Sequence, residues 1–329
     1  MITYQHLLKH PAAFRSLTGY TRDDFRALFL TFQAADQTRR TRETTNSRRA
    51  QGAGRPATCS LETQLVMTLV WLRIYPTFAV LAFLFGLHES NAWRNVQETL
   101  QTLQSVADFP FEKPAKDRKT LRSVEAVMDA FPDVALVIDA KEQRTRRPKS
   151  DKDNDEQKPF YSGKKKTHTL KNQVAVQPSG KIGAVSDSVA GGANHDLRLL
   201  RESRLLDNLS EGEAAMMDKG YDGITKDYPD LTKDYPDLPL YLPHKARRNR
   251  PLTTAQKACN RLLSSYRIVV EHTNAQINQY QALSQVWRNR RENHTGVFRV
   301  VCSLVNRRIE NCPLKRYPAQ LSLLGAIAH

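Results

Sequence analysis

The chain has 329 residues and 40% hydrophobic content, enough for two or three packed domains of about 100–200 residues each. Fifty Lys and Arg against 34 Asp and Glu give a formal charge of +16, which points to an anionic partner: nucleic acid ahead of an anionic membrane surface. The four scattered cysteines fit reduced thiols better than a zinc site or disulfide framework, and no stretch resembles a signal peptide or reaches the roughly 20 apolar residues that cross a bilayer. The expectation is a soluble, cytoplasmic, nucleoid-associated protein.

In chain order, residues 1–35 predict short helices, with Thr21 and Asp24 in "TGYTRDDFRALFLTF" forming a capping-box-like start. The run "QTRRTRETTNSRRAQGAGR", 37–55, holds six arginines and almost no large apolar residues, so it predicts a mobile basic linker. Ser60 caps a helix to about Ile74, where Pro76 stops it. A short apolar helix ending near Gly86 and a longer amphipathic helix capped by Ser90 then give a helix–turn–helix spacing. Asn91, Arg94, Asn95 and Gln97 are its candidate exposed face for the DNA major groove; packing in a plain helical bundle is the alternative.

From 134 the pattern changes. "VALVIDA", 164–176 and 180–189 read as strands, "NHDLRLLRESRLLDNL" as a helix, and "EAAMM" and "LPLYL" as further strands. A long helix follows from "TTAQ" onward. The fold class is therefore α/β, a mixed sheet preceded by an all-α region. The expected division is 1–57 (N-terminal helices and basic linker), 58–125 (helix–turn–helix) and 126–329 (catalytic domain). The heptapeptide "TKDYPDL" occurs at 225–231 and again at 232–238, which reads as a duplication in a surface loop.

Asp139 and Asp218 each close an apolar strand. In the helix after them, Arg267, Glu271, Asn274 and Asn278 share one face beside an apolar stripe of Leu263, Tyr266, Val270, Thr273 and Ile277. Three carboxylates from three elements match the oxygen ligands that a pair of Mg²⁺ ions requires. Chance placement among 34 acidic residues stays open on spacing alone.

The motifs "VIDAKE", "YSGKKKTHTLK", "GGANHDLRLL", "MMDKGYDG" and "RIVVEHTNAQI", in this order, resemble bacterial insertion-sequence transposases of the DDE type. The resemblance implies a ribonuclease H-like catalytic domain after a helix–turn–helix. It also implies Mg²⁺-dependent DNA cleavage and strand transfer, with Mn²⁺ as a substitute, and a homodimer or higher oligomer on paired DNA ends. It places the catalytic and metal-binding residues at Asp139, Asp218 and Glu271, with Arg267, one turn before the Glu, as a DNA contact. Lys219 and Lys164, Lys165 and Lys166 become phosphate contacts. Trp287 with Arg288 reads either as a DNA clamp or as a core tryptophan beside a basic rim. Lys141 stands where relatives carry Thr, and Asn278 where they carry a basic residue. Together with the duplication, these keep open a decayed DNA-binding copy; a ribonuclease H-like nuclease that cuts without strand transfer shares the same site and is a third reading.

Overall fold

The computed structural model describes residues 1–45, 58–109, 131, 133–149, 157–224 and 238–311. Two compact units emerge, Met1–Asp108 with Gln276–Asn311, and the described residues between Phe109 and Ala275. This grouping cuts across a simple N-to-C division, because a late helix packs with the N-terminal ones.

The first unit is helical: α1 (Tyr4–Leu8), α2 (Pro11–Thr18), α3 (Arg22–Thr45), α4 (Leu61–Ile74), α5 (Phe78–Phe85) and α6 (Glu89–Ser105) come from the N-terminal part. Helices α4 to α6 are ordered by their caps. Ser60 accepts from the Thr63 N–H at 3.3 Å, Tyr75 ends α4 in a left-handed conformation, and Gly86 does the same for α5. Ser90 is not the cap of α6. That position belongs to His88, whose Nδ1 accepts from the Ser90 N–H, a role an imidazole fills as well as a hydroxyl. Leu65 to Leu72 of α4 are buried without interruption, which makes it the central helix of the unit.

Helix α3 also revises the sequence reading. Thr21 and Asp24 cap its start as expected, with the Asp24 N–H on Thr21 Oγ1 at 3.2 Å. The helix then continues through Thr45, so residues 37–45 of the basic run are helical rather than linker. Asp36 holds Arg39 and Arg40 at 2.7 and 2.5 Å, and these one-turn ion pairs extend a helix that has few apolar residues to anchor it. The remainder of the run and nearly all of the duplicated heptapeptide lie outside the described residues.

The second unit is a mixed sheet: β1 (Val134–Arg144), β2 (Tyr161–Ser162), β3 (Thr167–Val176), β4 (Ile182–Val185), β5 (Val189–Ala190), β6 (Ala214–Met217) and β7 (Leu240–Tyr241). The order is β2-β3-β1-β6-β7, with β4 and β5 also paired to β3. Strand β3 runs antiparallel to β1, while β6 is parallel to β1 and β7 to β6, a ribonuclease H-like arrangement. On one face α7 (Asp196–Ser203) and the turn after it bury Leu197, Leu200, Leu205 and Leu206 against Leu136, Ile138, Ala215 and Met217.

Helix α8 (Thr254–Asn278) opens with a reciprocal capping box. The Gln256 N–H donates to Thr253 Oγ1 at 3.2 Å and the Thr253 N–H to Gln256 Oε1 at 3.1 Å. Its predicted apolar stripe, Leu263, Tyr266, Val270, Thr273 and Ile277, is buried throughout, so the β-branched "RIVVE" segment is helical. Within the second unit the Thr273 hydroxyl donates to the Gly180 carbonyl at 2.8 Å, and Tyr266 packs edge-on against Phe131.

A short helix, α9 (Gln281–Ser284), and a long one, α10 (His294–Asn311), complete the first unit. Gly296 of α10 lies close to Gln104 of α6: a Cβ would fall 1.9 Å from its Nε2, so a larger residue would have to push the end of that side chain aside.

Candidate active site

Parallel pairing of β1 with β6 sets Ile138 opposite Met217, so the next residues, Asp139 midway along β1 and Asp218 just past the end of β6, lie side by side. Strand β1 does not close at Asp139 as expected but runs on to Arg144, paired with β3. Successive side chains alternate across a sheet, which turns both carboxylates away from the α7 cluster that takes Ile138 and Met217. Helix α8 covers that opposite face and meets them. Arg267 places its guanidinium 3.3 Å from Asp218 Oδ1 and 3.9 Å from Asp139 Oδ1. Two turns further on, Asn274 donates to Asp139 Oδ2 at 2.9 Å.

The electrostatics are crowded. Burial pushes the Asp139 carboxyl above the usual carboxylate range; Arg267 and the Ala140 N–H pull it down, while Asp218 and Asp196 add repulsion. Asp218 is more open, its side chain 48% exposed, and its Oδ1 accepts from the Lys219 N–H at 2.6 Å. Arg267 Nε and Asn274 Oδ1 are both buried without a hydrogen-bond partner. Two carboxylates facing one cation, beside a carbonyl oxygen that lacks a donor, form a set that suits a hard divalent ion.

Glu271 is exposed, although it lies on α8 between Arg267 and Asn274. At about 100° per residue it sits roughly 40° from the first and 60° from the second. Among the described residues, no three His, Cys, Asp or Glu side chains are gathered as a metal-binding group.

A polar layer that the sequence reading passed over supports this end of the sheet. Lys171, Asn172 and Gln173 are consecutive and all buried in β3. Lys171 Nζ reaches Asp196 Oδ1 at 3.0 Å, the Asn194 carbonyl at 2.9 Å and Glu142 Oε1 at 3.4 Å. Gln173 Nε2 donates to the Asp196 carbonyl and to the Tyr221 hydroxyl, both at 2.7 Å. Tyr221 lies in the turn after Asp218, so Gln173 ties that turn to β3. Three polar residues in a row within a strand were the available signal, since a buried strand normally carries apolar ones.

The other candidates separate clearly. Lys164, Lys165 and Lys166 are exposed in the tight turn joining β2 to β3, where Lys166 adopts a left-handed φ of 53° and Ser162 Oγ accepts from the Lys165 N–H. Gly192 packs under Tyr161 so tightly that a Cβ would meet its carbonyl oxygen at 2.2 Å, which fixes the base of this hairpin. Lys219 is exposed. On α6, Arg94 is exposed and Asn91 and Asn95 are half-buried, with Trp93, 48% exposed, beside them.

Trp287 offers no face to DNA. It is fully buried between Tyr75 and His294, and its Nε1 donates to the Arg290 carbonyl at 3.1 Å. Arg288 lies 4.1 Å from the Tyr75 ring centroid and donates to the Tyr75 carbonyl. The core reading of this pair is the one that holds, because an indole surrounded by aromatic rings cannot also be a clamp.

Comparison with known proteins fits this arrangement. The DDE superfamily endonuclease family matches residues 138–306, and the helix–turn–helix of DDE superfamily endonucleases matches 60–108. The probable transposase for insertion sequence element IS702 of Microchaete diplosiphon is 31% identical over 238 residues, 72% of this chain and 76% of that protein. The chain belongs to the DDE superfamily endonucleases of insertion-sequence transposases. Among solved structures, this transposase matches the Mos1 transposase paired-end complex with left transposon end at 10% identity, over 83% of this chain and 84% of that one. The TM-score of 0.23 is too low to carry an argument. The matched helix–turn–helix comprises α4, α5 and α6, and no helix among the described residues is long and apolar enough to cross a membrane.

Proposed function

We propose that the protein binds the ends of its insertion sequence and catalyses Mg²⁺-dependent DNA strand cleavage and strand transfer, with Asp139, Asp218 and Glu271 as the triad. The observation that carries this reading is the pair of aspartates set side by side by adjacent parallel strands, Asp139 within β1 and Asp218 just past β6, and sharing the Arg267 guanidinium. Asp139, Asp218 and, from α8, Glu271 are the residues that would hold a divalent cation. Bound there, the cation supplies Lewis-acid activation of the attacking oxygen and stabilises the leaving one. No covalent protein nucleophile is needed, because water attacks in cleavage and a 3′-hydroxyl in joining.

Around that centre the chain's own groups position DNA. Lys219 follows Asp218 directly and is exposed to meet a phosphate, as are Lys164, Lys165 and Lys166. Asn91, Arg94 and Asn95 of α6 lie on the helix that enters the major groove. Mn²⁺ substitutes for Mg²⁺, and pairing two element ends takes a dimer or larger assembly.

One observation favours a second reading, a copy that binds DNA without cutting: Glu271 is exposed and is not gathered with the aspartates among the described residues. Incubating the protein with duplexes carrying the DNA that flanks its gene, in Mg²⁺, Mn²⁺ or EDTA, decides between them. Metal-dependent cutting at the end, followed by joining to target DNA, supports the transposase. End-specific binding by a folded protein with no cutting in either metal supports the second reading.

A further inference from the structure

The helical unit contains a second cationic centre. Arg73, in the last turn of α4, and Arg308, on α10, both donate through Nη1 to one acceptor, Gln279 Oε1, at 3.2 and 2.8 Å. The two guanidiniums are therefore no further apart than two hydrogen bonds, and the oxygen between them is neutral. Among the described residues no carboxylate forms an ion pair with either. Both are half-buried, so neither is dispersed in bulk water as a surface arginine would be.

An independent feature marks the same place. Tyr280 is fully buried; no well-aligned hydrogen bond reaches its hydroxyl, although the Tyr20 hydroxyl and the Arg308 guanidinium lie against it. The Arg73 guanidinium carbon lies 5.7 Å from the centroid of that ring. Gly19, left-handed at φ 82°, lets the α2–α3 turn approach. A Cβ there would fall 3.8 Å from both Arg73 Nη1 and the Tyr280 hydroxyl, so the two groups flank one spot. The neighbouring Tyr20 hydroxyl donates to the Leu304 carbonyl at 2.9 Å.

Like charges held together in a half-buried setting, with no counter-charge, are unfavourable unless an anion completes them. Burial already lowers the Arg73 pKa, and the Arg308 charge adds to that. Each guanidinium carries five N–H donors in a planar fork that matches phosphate oxygens, and most of those donors remain available here.

We propose that Arg73 and Arg308, with the Tyr280 hydroxyl, form a binding site for a phosphate group in the helical unit, separate from the aspartate centre. The phosphate comes from a DNA backbone or from free phosphate. The DNA source rests on the DNA-binding reading above; the anion site itself does not.

The test uses the full-length protein, Arg73→Gln, Arg308→Gln and Tyr280→Phe, each checked for native circular dichroism. Thermal unfolding is followed in inorganic phosphate and in chloride of equal ionic strength. Binding to a duplex of about 30 base pairs is measured across a salt series. Phosphate should raise the melting temperature of the parent beyond chloride, and this gain should vanish in both arginine variants and shrink in Tyr280→Phe, which keeps the ring. If the site takes a DNA phosphate, each arginine variant should bind duplex roughly tenfold more weakly near 0.1 M salt, as expected for one charge-assisted contact. Its log–log salt slope should also become shallower by about 0.9.

Loss of the phosphate gain with an unchanged DNA slope keeps the site and assigns it to free phosphate. A parent that binds no DNA but shows the phosphate gain sinks the DNA-binding reading and leaves the anion site standing. A parent stabilised no more by phosphate than by chloride, with folded variants keeping the parental slope, overturns the proposal and leaves the arginines hydrated.

Discussion

At the end of the sheet, Arg267 faces two carboxylates, one of them half exposed, and keeps a buried Nε without a partner. In the helical unit, Arg288 lies over the Tyr75 ring and donates to that residue's carbonyl, next to a fully buried Trp287. Both arginines turn inward, yet only the first sits among groups that the fold leaves incompletely satisfied. Trp287 completes a core, its Nε1 on the Arg290 carbonyl and its ring between Tyr75 and His294, with Arg288 over the Tyr75 ring. Arg267 balances charges that would otherwise repel, and an arrangement of that kind is retained for chemistry more readily than for stability.

The largest expected effect breaks the sheet end. Asp218→Ala should lower metal-dependent cutting by about 10³-fold or more, because ion-mediated stabilisation of a transition state contributes several kcal/mol. Its fold should survive, since this side chain is about half exposed. Cutting by the folded variant at the parental rate, measured on end-bearing duplex in Mg²⁺, would remove Asp218 from the site. The opposite pattern belongs to Trp287. Trp287→Ala should cost about 3–5 kcal/mol in urea unfolding, the range for emptying a packed aromatic site. DNA affinity of the remaining folded protein should not change. A variant of parental stability that binds DNA weakly would restore Trp287 as a contact residue.

Arg267 sharpens the contrast at smaller scale. Arg267→Gln should destabilise by about 1–3 kcal/mol, less than a fully buried pair would lose because Asp218 is partly solvated. It leaves the Asp139 and Asp218 charges facing each other. Millimolar Mn²⁺ should then raise the melting temperature of the variant more than that of the parent, since the ion replaces a missing positive charge. Equal gains in the two proteins would show that the cation and Arg267 answer to different carboxylates.

The pairing of the two aspartates was legible in the sequence because full burial stops at each of them, although β1 itself continues from Asp139 to Arg144. "VALVID" and "AAMMD" each deliver an aspartate where burial stops, and parallel pairing sets the two side by side. What could not be read was the rotation of α8 about its axis. Arg267, Glu271 and Asn274 fall within one face, and a difference of about 40–60° decides which of them touches Asp139. Packing of Leu263, Tyr266 and Val270 fixes that angle, and no hydrophobic pattern resolves it so finely. The end of α3 was hidden for another reason. A run poor in apolar residues suggests a linker, but Asp36 with Arg39 and Arg40 supplies one-turn pairs that sustain a helix without a core face. Trp287 was ambiguous because a tryptophan among arginines suits a clamp and a core equally until Tyr75 and His294 are seen against its ring.

The smallest effect tests how far the start of α8 matters to the aspartates it serves. Thr253 and Gln256 satisfy each other's backbone N–H groups at 3.2 and 3.1 Å, both in an exposed setting. Thr253→Ala removes one acceptor and should cost about 1 kcal/mol, the usual value of such a cap. Fraying of this kind stays within the first turn, whereas Arg267 lies more than three turns further along, beyond the buried Leu263 and Tyr266. The melting temperature should therefore fall by a few degrees while metal-dependent cutting, assayed well below it, keeps its parental rate. If cutting falls in step with the lost stability instead, the register of α8 depends on its cap. The Arg267–aspartate geometry would then be set from the helix start rather than by the packing of its apolar stripe.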